Sequence, residues 1–170
     1  MINPFPKWNS ASPQAISARG ALLVEGPDEH GYFRWLMHAI GLTPRQACIH
    51  VLSGKDGLRS KIKGIVRMSG FASVRRVLLL IDADADPSRA FESAADSLRH
   101  AGLPCPSAPG LWTEPGPLRV AIGVLGSGPD MLRPGSLEDL CLSSLREPAY
   151  LPCAEQLLKC AQDRGALVES

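Results

Sequence analysis

Two periodicities alternate along the chain. Apolar runs occur at 21–24 (Ala-Leu-Leu-Val), 48–52 (Cys-Ile-His-Val-Leu, broken only by His50), 77–81 (Val-Leu-Leu-Leu-Ile) and 120–125 (Val-Ala-Ile-Gly-Val-Leu). Each reads as a strand covered on both faces, because a strand with one face in water would alternate apolar and polar residues. Between and after these runs the apolar residues recur at helical spacing. Tyr32, Phe33, Leu36, Met37 and Ile40 form one stripe, and Leu58, Ile62, Ile65 and Val66 form the next. Phe91, Ala94, Ala95 and Leu98 form a third, followed by Leu137, Leu140 and Leu145, and by Ala154, Leu157, Leu158 and Ala161. The punctuation agrees. Pro27 suits a first helical turn, with Asp28 and Glu29 favouring its positive end, and Gly41 suits the exit. Asp86 followed by Pro87 reads as an N-cap and a first-turn proline.

Strand and helix therefore alternate, which predicts an α/β fold: a single domain with a mainly parallel central sheet flanked by helices. The domain is expected over 21–146, preceded by an irregular arm at 1–20 and followed by a helical extension at 147–170. A Pro/Gly-rich stretch at 102–117 interrupts the alternation, and within it Trp112 and Thr113 suggest a short edge strand. Trp35 falls beside the first helical stripe and suits a core or interface position. The arm carries Pro4, Pro6 and Pro13 and lacks the apolar stretch of a signal peptide.

Composition narrows the function classes. The net charge is +1, so nucleic-acid binding would need a local basic cluster; Arg59, Lys61, Lys63, Arg67, Arg75 and Arg76 supply one, which reads equally as a solvated face. The five cysteines are dispersed, without zinc-ligand spacing, and Cys48 sits in an apolar run. That argues against a disulfide framework or a zinc site and for a reducing, cytoplasmic setting. No run reaches the length of a membrane helix, so no membrane association is expected. The histidines show no ligand spacing, although His30 lies close to Glu25.

The candidate chemistry lies at the strand ends. Glu25 follows the first run, and Asp82 and Asp84 follow the third in Ile81-Asp-Ala-Asp-Ala-Asp-Pro87. In open α/β sheets, ligands gather beyond the carboxyl ends of the strands. Carboxylates meeting there repel one another unless a cation neutralises them, and hard oxygen donors select Mg2+ or Mn2+. Two aspartates one residue apart point to the same side if the strand direction persists, about 6–7 Å apart. Further acids are Glu29, in the first helix, and Glu138 and Asp139, in Ser136-Leu-Glu-Asp139. Asp139 closes a capping-box pattern from Ser136, and Glu138 does not. Lys55, in the turn Ser53-Gly-Lys-Asp-Gly57, could contact a phosphate or be a solvated turn residue; the spacing is not that of a P-loop.

These motifs resemble the Toprim superfamily over roughly residues 21–145. Leu22-Leu-Val-Glu-Gly-Pro-Asp28 looks like its first motif, an apolar strand ending in Glu-Gly, and Leu79-Leu-Ile-Asp-Ala-Asp84 looks like its DxD strand end. The small size and Gly135-Ser-Leu-Glu-Asp139 are similar to stand-alone prokaryotic Toprim-like proteins related to the OLD-type nucleases. The resemblance implies Glu25 as general acid/base or metal ligand and Asp82 and Asp84 as ligands, with Glu29 and Glu138 as further ligands. The implied reaction is Mg2+- or Mn2+-dependent phosphoryl transfer on nucleic-acid phosphodiesters. The alternative is a catalytically weak Toprim-like binding or regulatory module that works with an ATPase or a defence-system partner. A topoisomerase or primase would need further domains and, for the former, a tyrosine in a cleavage context, which neither Tyr32 nor Tyr150 supplies. DNA, RNA and nucleotide ligands remain alternatives, and a homo-oligomer is open.

Overall fold

The computed structural model describes residues 15–54, 57–126, 133–144 and 151–164. Its elements run β1 (Gly20–Val24), α1 (Pro27–Ala39), β2 (Ala47–Val51), α2 (Leu58–Val66), β3 (Arg76–Asp82), α3 (Pro87–His100), β4 (Arg119–Leu125), α4 (Leu137–Ser144) and α5 (Leu151–Asp163). The strands form a four-stranded sheet in the order β2-β1-β3-β4, and all three pairings are parallel. The fold is therefore α/β with a wholly parallel sheet flanked by helices, in one domain.

Strand parity sorts the sheet into two apolar faces, as period-2 geometry requires. On one, Leu23, Val77, Leu79, Ile81, Val120, Ile122 and Val124 pack with Leu58, Ile62 and Ile65 of α2 and Ala94, Ala95 and Leu98 of α3. On the other, Leu22, Val24, Ile49, Leu80 and Leu125 pack with Met37 of α1 and Leu137 of α4. Covering on both sides explains why the strands read as near-continuous apolar runs.

Some details differ from the sequence reading. Ile16 and Ala18 belong to the stretch assigned to the arm, yet both are buried, and the Ile16 N–H donates to the Ser69 carbonyl at 2.7 Å. Trp35 is 51% exposed, so it is not a core residue of this chain. Trp112 does meet the sheet edge, in an isolated antiparallel bridge to Ala121 on β4. Leu145 lies outside the described residues. Among those described, no helix is long and apolar enough to cross a membrane.

Candidate functional site

The chain leaves β1 toward one side through α1 to β2. It then returns past β1 through α2 to β3 on the other side. The carboxyl ends of β1 and β3 therefore flank the point where strand order reverses, which is where α/β sheets open a crevice. Glu25 follows β1 and Asp82 is the last residue of β3, so the two leading acids stand on either side of that point. Asp82 shares its strand face with Leu78 and Leu80 and so points toward the α1 and α4 layer. A Glu25 carboxylate oxygen (Oε2) accepts a long hydrogen bond, 3.4 Å, from the Asp82 backbone N–H. Asp82 Oδ1 accepts from the Leu137 N–H at 3.1 Å, in the first turn of α4, where the helix dipole favours a negative charge.

The loops that hold these groups are fastened to one another. The Gly54 N–H donates to the Glu25 carbonyl at 2.9 Å, and Lys61 Nζ donates to the Ser53 and Gly54 carbonyls at 2.8 and 3.3 Å. Lys61 thus positions the β2–α2 turn beneath Glu25, a role that the sequence reading merged into a basic face. Asp84 and Gly135 exchange two backbone hydrogen bonds, 2.9 and 2.8 Å, which tie the β3–α3 loop to the entrance of α4.

Glu29 is buried, at 6% exposure, and its Oε2 accepts from the Gly26 N–H at 2.8 Å. This is the reciprocal half of a capping box; the other half is missing because glycine has no side chain. It also explains the glycine of the Glu25-Gly26 pair: a Cβ on Gly26 would lie 2.8 Å from that same oxygen. Gly26→Ala should therefore displace the Glu29 carboxylate and lower stability in urea unfolding by about 1 kcal/mol, the usual size of a lost helix cap. A cost under about 0.3 kcal/mol would mean that Glu29 swings aside freely.

These acids act on one another. Burial raises the Asp82 carboxyl from 3.8 to about 6, and Glu29, Glu25 and Glu138 push in the same direction, while the Leu137 N–H opposes them. Glu138 is exposed in the first turn of α4. Glu25, Asp82, Glu29 and Glu138 thus share one electrostatic field although they come from widely separated segments.

The DxD alignment needed extended backbone through Asp84, but β3 ends at Asp82 and Asp84 takes a left-handed conformation, φ 48°. Asp84 is exposed and faces the depression shared with Asp86 and Arg89. Asp86 is an N-cap, accepting from the Arg89 N–H at 3.0 Å, and Asp139 accepts from the Ser136 N–H at 2.9 Å, as the cap patterns required. Lys55 lies outside the described residues. Arg59 pairs with Asp96 of α3, which fits a solvated helix face. Burial and the nearby Arg34 lower the His30 pKa, so its imidazole is neutral at pH 7. Cys48 and His50 touch on β2, Sγ to Nε2 at 3.4 Å, but burial raises the thiol to about 11 and lowers the imidazole, so the pair stays neutral.

The donor set around Asp82 is all oxygen, partly desolvated and mutually repelling, which suits a hard divalent cation. Among the described residues, no three His, Cys, Asp or Glu side chains are gathered so as to hold one ion by themselves. Mg2+ asks for less, usually one or two carboxylates with waters and substrate oxygens completing the octahedron, and Glu25 and Asp82 are the two that could serve.

No curated protein and no solved structure matches the chain. One family does match, over residues 19–168, from the start of β1 past the end of α5. The chain belongs to that family, described as Protein of unknown function (DUF3226).

Proposed function

We propose that this protein is a Toprim-type, Mg2+- or Mn2+-dependent phosphoryl-transfer protein that cleaves nucleic-acid phosphodiesters. The observation that carries this reading is the meeting of Glu25 and Asp82 across the switch point, at the crevice end of parallel strands. The Glu-Gly and DxD motifs support it, and so does the field of Glu29 and Glu138 on Asp82. Glu25 and Asp82 would hold the ion, and Glu29, Glu138 and Asp84 would complete its surroundings through water. When bound, the cation supplies Lewis acidity toward a phosphoryl oxygen. The chain supplies the rest. Glu25, fixed by Gly54 on its carbonyl, takes a proton from the attacking water or returns one to the leaving oxygen. Asp82 must be ionised to serve as a ligand. Lys55 would contact a phosphate. A reducing, cytoplasmic setting fits the odd, dispersed set of five cysteines.

The test is cleavage of DNA and RNA in Mg2+ or Mn2+. Glu25→Gln should reduce cleavage by about 10²- to 10⁴-fold, the usual effect of losing a general acid or base. Asp86→Ala should keep cleavage while losing about 1 kcal/mol of stability, because Asp86 only caps α3. Cleavage that survives Glu25→Gln, or that needs no metal, would overturn the assignment.

A second reading is favoured by two observations: Glu29 turns one oxygen back onto its own helix, and Asp84 leaves the strand line. In this reading the protein binds the metal but turns over weakly, and works as a binding or regulatory module with an ATPase or a defence-system partner. Mn2+ binding without cleavage, together with co-purification of one stoichiometric partner, would select it.

A further inference from the structure

The stretch between α3 and β4 is long for a loop without regular structure, and such segments in compact domains are usually functional. It is also well fastened. The Gly110 N–H donates to the Ile122 carbonyl at 2.8 Å, the Thr113 N–H donates to the Val120 carbonyl at 2.9 Å, and the Val120 N–H donates to Thr113 Oγ1 at 3.0 Å. Arg119 Nε donates to the Thr113 carbonyl at 3.2 Å, and its guanidinium lies 5.8 Å over the Trp112 ring. A fixed aromatic surface results, with Trp112 still 39% exposed.

This surface lines an open groove of about 620 Å³, within the range of ligand pockets. Trp112, Pro104, Pro106 and Pro117 form its flat apolar walls. Glu114 is the one charged side chain among its described lining residues, and it is exposed. An indole flanked by rigid prolines suits the flat rings of a polyproline II segment, which docks with little entropy to lose. A lone carboxylate at the rim adds a preference for a cationic neighbour. A nucleic-acid strand fits poorly, because the described lining holds no lysine or arginine, the adjacent Arg119 is already engaged by the Thr113 carbonyl and the Trp112 ring, and Glu114 repels a phosphate.

We propose that this groove is a docking site for a proline-rich, polyproline II segment of a partner protein that carries a basic residue beside its prolines. It lies at the start of β4, whereas Asp82 pairs with Leu125 at the end of that strand, about 20 Å away. The proposal is therefore independent of the metal reading, and either can fail alone.

The experiment measures fluorescence polarisation of the full chain with a fluorescein-labelled Pro-Pro-Leu-Pro-Pro-Arg peptide. Controls are the same peptide with alanine for each proline, the same peptide with glutamine for arginine, and a labelled oligo-dT of twelve nucleotides. Saturable binding of the proline peptide is expected. The alanine peptide should bind at least about tenfold more weakly. Trp112→Ala should weaken binding by about tenfold or more, as a central aromatic anchor does. Trp112→Phe keeps an aromatic wall and should lose less, which guards against misfolding as the cause. Glu114→Gln, an exposed change outside the core, should weaken binding by about two- to fivefold and abolish the preference for arginine over glutamine. Asp82→Asn should leave peptide binding intact. Equal binding of proline and alanine peptides, insensitivity to Trp112→Ala, or displacement of the peptide by the oligonucleotide would each overturn the proposal.

Discussion

Asp82→Asn should remove metal-dependent cleavage and, at the same time, stabilise the metal-free protein. The two effects share one cause. Asparagine keeps an oxygen to accept from the Leu137 N–H but carries no charge to be repelled by Glu29, Glu25 and Glu138. In the wild type, the Asp82 carboxyl titrates at about 6 instead of 3.8. The folded state therefore holds this proton more tightly than the unfolded chain does. The associated stability is fully present below about pH 4 and is lost as pH rises through about 6. Two pKa units correspond to about 3 kcal/mol, and solvent screening at a half-buried carboxyl reduces this to about 1–1.5 kcal/mol. At pH 7.5 in EDTA, Asp82→Asn should thus melt about 3–5 °C above wild type, and at pH 4 the two should converge. Saturating Mn2+ should reverse the order, since a ligand at a hundred times its Kd adds about 2.7 kcal/mol to the wild type and nothing to the variant. Thermal melts at pH 4, 6 and 7.5, with EDTA or Mn2+, read all of this. Equal Mn2+ stabilisation of both proteins would remove Asp82 from any metal site. Parallel wild-type and variant curves from pH 4 to 7.5 would show that the acids do not crowd.

The sequence made the sheet legible for a physical reason. Both faces are covered, so Leu79 and Leu80 are equally apolar although they point in opposite directions. Glu25 and Asp82 were legible because an acid directly after a buried strand has little structural reason to be there. The edge contact at Trp112 was legible from its break in the Pro/Gly run. What escaped depends on distance or on local reversals. The Leu137 N–H that caps Asp82 comes from 55 residues away, and no local pattern announces it. Asp84 defeated the spacing argument because that argument holds only for extended backbone. Glu29 folds onto Gly26, whereas the capping pattern is recognised by a serine or threonine at that position. Ile16 and Ala18 are buried in strict alternation with exposed Ser17 and Arg19, a period-two pattern that spans too few residues to stand out in the sequence.

That concealed segment has the largest stability effect expected of a small substitution. Gly70 has φ +87°, and a Cβ there would lie 1.9 Å from the Ile16 carbonyl oxygen and 2.9 Å from its carbon. Both atoms are backbone, so no side chain can rotate out of the way. Nor can Ile16 withdraw cheaply: its N–H is bonded to the Ser69 carbonyl at 2.7 Å, and its side chain sits in the same cluster as Ile65, Val74 and Val77. Gly70→Ala must therefore pay the left-handed backbone penalty of about 1–2 kcal/mol and also break the seating of Ile16. The total should reach about 3–5 kcal/mol, comparable with deleting a buried isoleucine side chain, or roughly 10 °C in Tm. Gly102 isolates the first contribution, because its φ is +75° but nothing lies within 4 Å of a Cβ there. Gly102→Ala should cost only about 1–2 kcal/mol. Urea unfolding of the two variants measures the difference between them. That difference is the contribution of residues ahead of β1, and equal costs would mean that the Ile16 segment is laid on the domain without holding it together.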